Sequence, residues 1–235
     1  KALPPLSCFE VTSHGRALTC AKNGIVSIWD CSVGAIDKAV AGKHESAINS
    51  VVLLADGPGV YATGGSDGIV AIWDTRKKLG SKSKHRIGCT DQLKPHIIGK
   101  KRSSEQIAAQ VNVLSVAYHP SSGTSPLPHL LSGGADGGVV LIDPRKSTEP
   151  VTKYARENSF PVASLCSPTA ITSSACSHAL LSGDAKGTVC CHDICTGSLK
   201  YAIGSNKGCA RFIDAVGKSL IVSGDDGRAI VYPFS

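Results

Sequence analysis

An all-β fold made of repeated antiparallel units is what three features of this sequence predict. The 25 glycines and 12 prolines in 235 residues leave little room for long helices and suit short strands joined by tight turns. Largely apolar runs of strand length recur along the chain, among them Ile48 to Leu54, Val111 to Tyr118 and Pro161 to Leu165. A strand-turn-strand motif ending its turn in Gly returns five times. The hydrophobic fraction of 42% beside 18% charged residues belongs to a chain that buries a core and excludes a mainly disordered one.

The five motifs follow one plan: a small or hydroxyl residue, a turn closed by Gly, then an alternating strand. The first two run from Leu18-Thr19-Cys20 through Asn23-Gly24 to Ile28-Trp29-Asp30, and from Ala62-Thr63-Gly64 through Asp67-Gly68 to Ile72-Trp73-Asp74. The third and fourth run from Leu131-Ser132 through Asp136-Gly137 to Ile142-Asp143, and from Leu181-Ser182 through Lys186-Gly187 to His192-Asp193. The fifth runs from Val222-Ser223 through Asp226-Gly227 to Val231-Tyr232. Asn or Asp before Gly suits a hairpin turn because both residues tolerate positive φ.

Turn glycines at 24, 68, 137, 187 and 227 are spaced close to the ~40 to 45 residues of one four-stranded WD-repeat propeller blade, apart from one long step after Gly68. The expectation is a single WD40-type β-propeller domain over 1–235, with blades at roughly 1–43, 44–88, 111–155, 160–204 and 208–235 and a basic insertion at about 76–110. Such propellers usually have seven blades. The string opens on Lys1, holds no Met and shows five units, so it reads as the C-terminal part of a seven-bladed ring lacking about two blades, or as a string from which methionines are missing.

WD repeats join a turn Asp, a strand Ser or Thr, a His between blades and a Trp in one hydrogen-bonded chain. The resemblance places His44, Thr63, Asp67 and Trp73 in that chain for the second blade. The other blades depart from it: Asn23 and Lys186 stand at the turn Asp, and Ile142, His192 and Tyr232 stand at the Trp position. Packing between neighbouring blades then has to hold them.

The formal net charge of +7 is local in origin. Between residues 76 and 102 lie Arg76, Lys77, Lys78, Lys82, Lys84, Arg86, Lys94, Lys100, Lys101 and Arg102, against the acid Asp91. The stretch reads as a solvated loop, and as an electrostatic handle for RNA, DNA or an acidic protein. It holds no Phe, Trp or Tyr on which a base would stack, which favours the solubilising reading over nucleic acid.

Enzyme chemistry finds little footing. Gly64-Gly65-Ser66-Asp67-Gly68 matches the nucleophile elbow GxSxG, but Ser66 falls between two strands where that elbow requires a strand and a helix. Cys190, Cys191, His192 and Cys195 contain soft-metal ligands, yet alternation along a strand sends neighbours to opposite faces. Neither a phosphate loop nor HExxH occurs. His14, His85, His96, His119, His129 and His178 fall in loops or at strand ends. The expectation is a non-enzyme without cofactor or metal, its ten cysteines reduced, in the cytoplasm or nucleus and away from membranes.

Two narrower resemblances carry functional expectations. Asp67 to Arg76 resembles the motif by which some WD-repeat substrate receptors dock onto a cullin-ligase adaptor, with Asp67, Trp73, Asp74 and Arg76 at the matching positions; Asp136 to Arg145 echoes it with Ile142 for Trp. The run Gly15 to Thr19, through Gly24, to Ile28-Trp29-Asp30-Cys31-Ser32 and Ile48 to Val51, with Ile142-Asp143-Pro144-Arg145, Pro150-Val151, Pro161-Val162 and the ending at Tyr232, resembles the proteasomal ATPase-associated factors. That resemblance implies an assembly chaperone that binds the C-terminal domain of a proteasomal ATPase subunit. No partner-contacting residue of that family matches a motif here.

Overall fold

Short strands separated by Gly-containing turns fold into antiparallel sheets in this computed structural model, and no helix occurs among the described residues. These are residues 4–12, 15–40, 43–55, 59–74, 88–93, 95, 97–98, 109–110, 113–119, 129–143, 151–154, 160–168, 178–216 and 218–233. The chain divides into two compact units, 1–116 and 117–235.

The first unit holds two four-stranded meanders. One comprises β1 (Leu6–Val11), β2 (Arg16–Ala21), β3 (Val26–Asp30) and β4 (Ala35–Val40); the next comprises β5 (Ile48–Ala55), β6 (Val60–Gly65), β7 (Val70–Asp74) and β8 (Gly88–Leu93). A short pair, β9 (Ile97–Ile98) and β10 (Ala109–Gln110), follows. Alternation dictates the packing: Leu18, Cys20, Val26 and Ile28 from the first sheet meet Ile48, Val51, Tyr61, Ala71 and Trp73 from the second in one buried cluster. Full burial of an aliphatic or aromatic side chain contributes about 1.5–3 kcal/mol, so the cluster fastens the two sheets.

β11 (Val113–His119), β12 (His129–Gly134), β13 (Val139–Ile142) and β14 (Thr152–Tyr154) form the third meander. In the second unit β15 (Val162–Cys166), β16 (Ala179–Asp184), β17 (Thr188–Asp193) and β18 (Leu199–Gly204) form the fourth, while β19 (Ala210–Val216), β20 (Ser219–Gly224) and β21 (Ala229–Pro233) form a three-stranded fifth. Leu131, Val139, Leu141 and Tyr154 pack on Val162, Leu180 and Ile194, and Ala179, Leu181, Val189 and Cys191 pack on Ala210, Ile213, Leu220 and Val222.

The five hairpin turns expected from sequence lie between β2 and β3, β6 and β7, β12 and β13, β16 and β17, and β20 and β21. The glycine closing each has φ between 74° and 81°. At Gly187 a side chain is excluded twice over, because a Cβ there would overlap the carbonyl oxygens of Asn206 and Gly208. The fold is that of a WD40-type β-propeller, with five blade-like sheets among the described residues.

Candidate functional site

Residues of the second blade come together around the buried hydroxyl of Thr63. The β6–β7 register sets Thr63 opposite Ala71 and Tyr61 opposite Trp73, so the hydroxyl and the indole share a sheet face. Trp73 Nε1 donates to Thr63 Oγ1 at 2.8 Å, and His44 Nε2 lies 2.7 Å from the same oxygen. On its other side the His44 ring meets Asp67, with Nδ1 2.9 Å from Oδ2.

One tautomer satisfies every group. With a proton on Nδ1, His44 donates to the Asp67 carboxylate and its Nε2 accepts from the Thr63 hydroxyl, whose oxygen accepts from Trp73. Asp67 also accepts from the backbone N–H of Glu45 at 3.0 Å and of Ile69 at 3.1 Å, closing the turn onto the segment that leads into β5. Burial holds the His44 pKa below the usual histidine value, outweighing the attraction of Asp67, which keeps the ring neutral.

The other blades carry reduced versions. In the first, Trp29 Nε1 donates to Thr19 Oγ1 at 2.9 Å, and Asn23 Oδ1 accepts from Ile25 N in the turn. In the third, Asp136 accepts from Gly138 N at 3.0 Å. Asp184, two residues before the usual turn-Asp position, which Lys186 occupies, is buried in the fourth and accepts from the N–H groups of Lys186 and Thr188 at 2.8 and 2.9 Å. His192, at the Trp position, is fully buried 5.8 Å from the Tyr154 ring, and Tyr154 Oη donates to the Ile194 carbonyl at 2.9 Å.

The fifth blade holds a counterpart that the sequence reading missed. Asn206 Nδ2 donates to Asp226 Oδ1 at 2.8 Å and Lys207 N donates to Oδ2 at 2.9 Å, repeating His44, Glu45 and Asp67. The amide donated by Asn206 holds the Asp226 carboxyl below the usual range, with further help from Lys207 N. A usable signal was present: Asn206 precedes Ala210 by the same number of residues as His44 precedes Ile48.

The remaining candidates are placed as follows. Ser66 lies in the turn between β6 and β7, where its Oγ is 3.0 Å from Asn49 Nδ2. Cys190 and Cys191 are buried cysteines on β17 and Cys195 is an exposed one. No cluster of metal-ligating side chains is present among the described residues. Of the adaptor-docking set, Trp73 is 0% and Asp74 4% exposed, and the Asp67 side chain faces His44. Arg76 and the basic residues Lys77, Lys78, Lys82, Lys84, Arg86, Lys94, Lys100, Lys101 and Arg102 lie outside the described residues. No helix is long and apolar enough to cross a membrane among the described residues.

Meanders of this length, joined by Gly-closed turns and an Asp-His-Thr-Trp chain, define a WD40-type β-propeller domain. The Cps50 (Swd1) β-propeller domain of Myceliophteria thermophila superposes with a TM-score of 0.69 at 16% identity, covering 99% of this chain and 66% of that one, a likeness of fold. The family model for the nucleolar protein 10-like N-terminal domain matches residues 9–232, and the chain belongs to that family. It is also 28% identical over 160 residues to the human Denticleless protein homolog and 29% identical to the mouse one, each match covering 63% of this chain. The matched stretch spans 20% of those relatives.

Proposed function

We propose that this chain is a non-catalytic, protein-binding scaffold domain that works in the nucleus, within nucleolar assemblies. The observation that carries the reading is how the reactive side chains of the repeats are spent. His44, Thr63 and Asp67, then Asp184, then Asn206 and Asp226, are all engaged in hydrogen bonds that close turns or join a blade to the segment before it. Side chains used in this way make rigid sheets, and rigid sheets present loops and strand edges to a partner. Membership of a family named for a nucleolar protein supports the location.

Exposed apolar side chains on the edge strand β1, Leu6, Phe9 and Val11, give the first unit a surface suited to a protein partner. The narrower chaperone role toward a proteasomal ATPase subunit draws its support from the order of the blade residues alone. The substrate-receptor role draws on the spacing of Asp67, Trp73, Asp74 and Arg76; since the first three serve the blade interior, that role rests on Arg76.

Affinity purification of the full-length protein after nuclease treatment tests the reading. Retention of nucleolar proteins supports it, and retention of no protein above a control overturns it. Proteasomal ATPases recovered without the mature proteolytic core select the chaperone role. A cullin-ligase adaptor lost on Arg76→Ala selects the receptor role, and binding to RNA that vanishes on deleting residues 76–102 shifts the function to nucleic acid.

A further inference from the structure

The strand register brings two cysteines together in a way their separation in sequence does not suggest. Cys8 on β1 and Cys20 on β2 are direct partners across the antiparallel pair, next to a register shift between Leu6 and Cys8. Cα atoms of directly paired residues lie about 4.5 or 5.5 Å apart, and both values fall within the roughly 4.4–6.8 Å that a disulfide spans. Cys8 packs against the buried cluster that contains Cys20. Ser7 Oγ donates to the Cys20 carbonyl at 3.1 Å and lies 3.9 Å from Cys8 Sγ, tying β1 to β2 beside the thiols.

We propose that Cys8 and Cys20 form a reversible cross-strand disulfide site, oxidised by exchange with a small disulfide of the glutathione type. Exposure divides the labour: Cys8 is half-buried and meets solvent, whereas Cys20 is 0% exposed. The Cys8 thiol is held below its usual range by the hydrogen bond from Cys20, which makes it the better thiolate, and the same contact pushes the Cys20 thiol up.

In the first step Cys8 Sγ, as thiolate, attacks one sulfur of the small disulfide. That S–S bond breaks, a small thiolate leaves, and Cys8 carries a mixed disulfide. Cys20 then passes its proton to solvent or to the departing thiolate and attacks Cys8 Sγ, and the second small thiolate leaves and takes up a proton. The protein dithiol is oxidised by two electrons and one small disulfide is reduced to two thiols.

The test equilibrates the full-length protein with graded mixtures of reduced and oxidised glutathione, followed by acid quenching, alkylation and digestion. Trypsin cuts after Lys1, Arg16 and Lys22, so Cys8 and Cys20 fall in separate peptides, 2–16 and 17–22. Expected is the two peptides joined by a disulfide, both thiols lost to alkylation in one step and restored together by reductant, in protein whose near-ultraviolet dichroism is unchanged. Cys20→Ala should instead trap glutathione on Cys8, and Cys8→Ser should leave Cys20 fully alkylated. The exposed Cys31 supplies an internal comparison as a thiol that keeps its glutathione. The proposal is overturned if both peptides stay singly alkylated at the most oxidising ratio, if Cys8 holds glutathione while Cys20 stays alkylated, or if the bond forms only in denaturant. The wild-type readout stands even where Cys20→Ala does not fold.

Discussion

Replacing Thr63 by Val removes one hydroxyl and keeps the branched shape, which makes it a sharp probe of the second blade. Thr63 is 0% exposed, as is Trp73, and His44 is 2% exposed. Without the hydroxyl the Trp73 N–H loses its acceptor at 2.8 Å and His44 Nε2 its donor at 2.7 Å. A buried group left unpaired costs about 1–3 kcal/mol, and two such groups with some relaxation make about 3 kcal/mol the expected loss. Thr19→Val in the first blade is the matched control. Thr19 and Trp29 are only half-buried, the pair lacks a His44 counterpart among the described residues, and water can reach the indole, so about 1 kcal/mol or less is expected. The chain has two tryptophans, one in each of these blades, so urea unfolding followed by Trp73 fluorescence in a Trp29→Phe background, and the converse, reads each blade separately. Equal losses for the two substitutions would refute the network as the reason these side chains stand at this spacing.

Further outcomes follow from the same geometry. Because the folded His44 pKa is below the unfolded value near 6.5, the unfolded chain binds the extra proton first; the contribution of His44 is complete above about pH 6.5 and falls as pH drops through the folded pKa, and His44→Gln should flatten that part of a stability profile measured by urea titration. Gly187→Ala should destabilise by about 2 kcal/mol or more, since a strained φ is joined by overlap with two carbonyl oxygens, whereas Gly197→Ala, at a similar φ with open space around it, should lose about 1 kcal/mol on thermal unfolding. Asn206→Ala should raise the Asp226 pKa toward the ordinary carboxylate value in a carboxyl NMR titration, because its leading hydrogen bond is gone; Asn206→His, which restores the second blade's pairing, should keep it low.

What could be seen from the sequence was decided by local chemistry. Asn-Gly and Asp-Gly turns set the hairpins within a few residues, and the His44, Thr63, Asp67, Trp73 spacing stands out because each residue type is distinctive. The inner strands were readable for the same reason: Ile48 to Leu54 was expected and β5 spans Ile48–Ala55. Outer strands such as β18 were not, since Leu199–Gly204 is largely exposed and lacks a buried alternating face. Asn206 escaped notice because Asn is common in loops, and only the β20–β21 turn brings Asp226 to it. The tilted contact of Tyr154 with His192 and the pairing of Cys8 with Cys20 depend on blade packing and on a register shifted by one residue, which no local pattern encodes.

Hydrogen exchange of the full-length protein, with and without the partner it retains on purification, tests the scaffold reading most directly. The account predicts that partner binding slows exchange in connecting segments and edge strands within 9–232, while the β5, β6 and β7 amides keep the slow rates their buried network already imposes. Unchanged exchange throughout 9–232, or partner-dependent melting of those three strands, would contradict it.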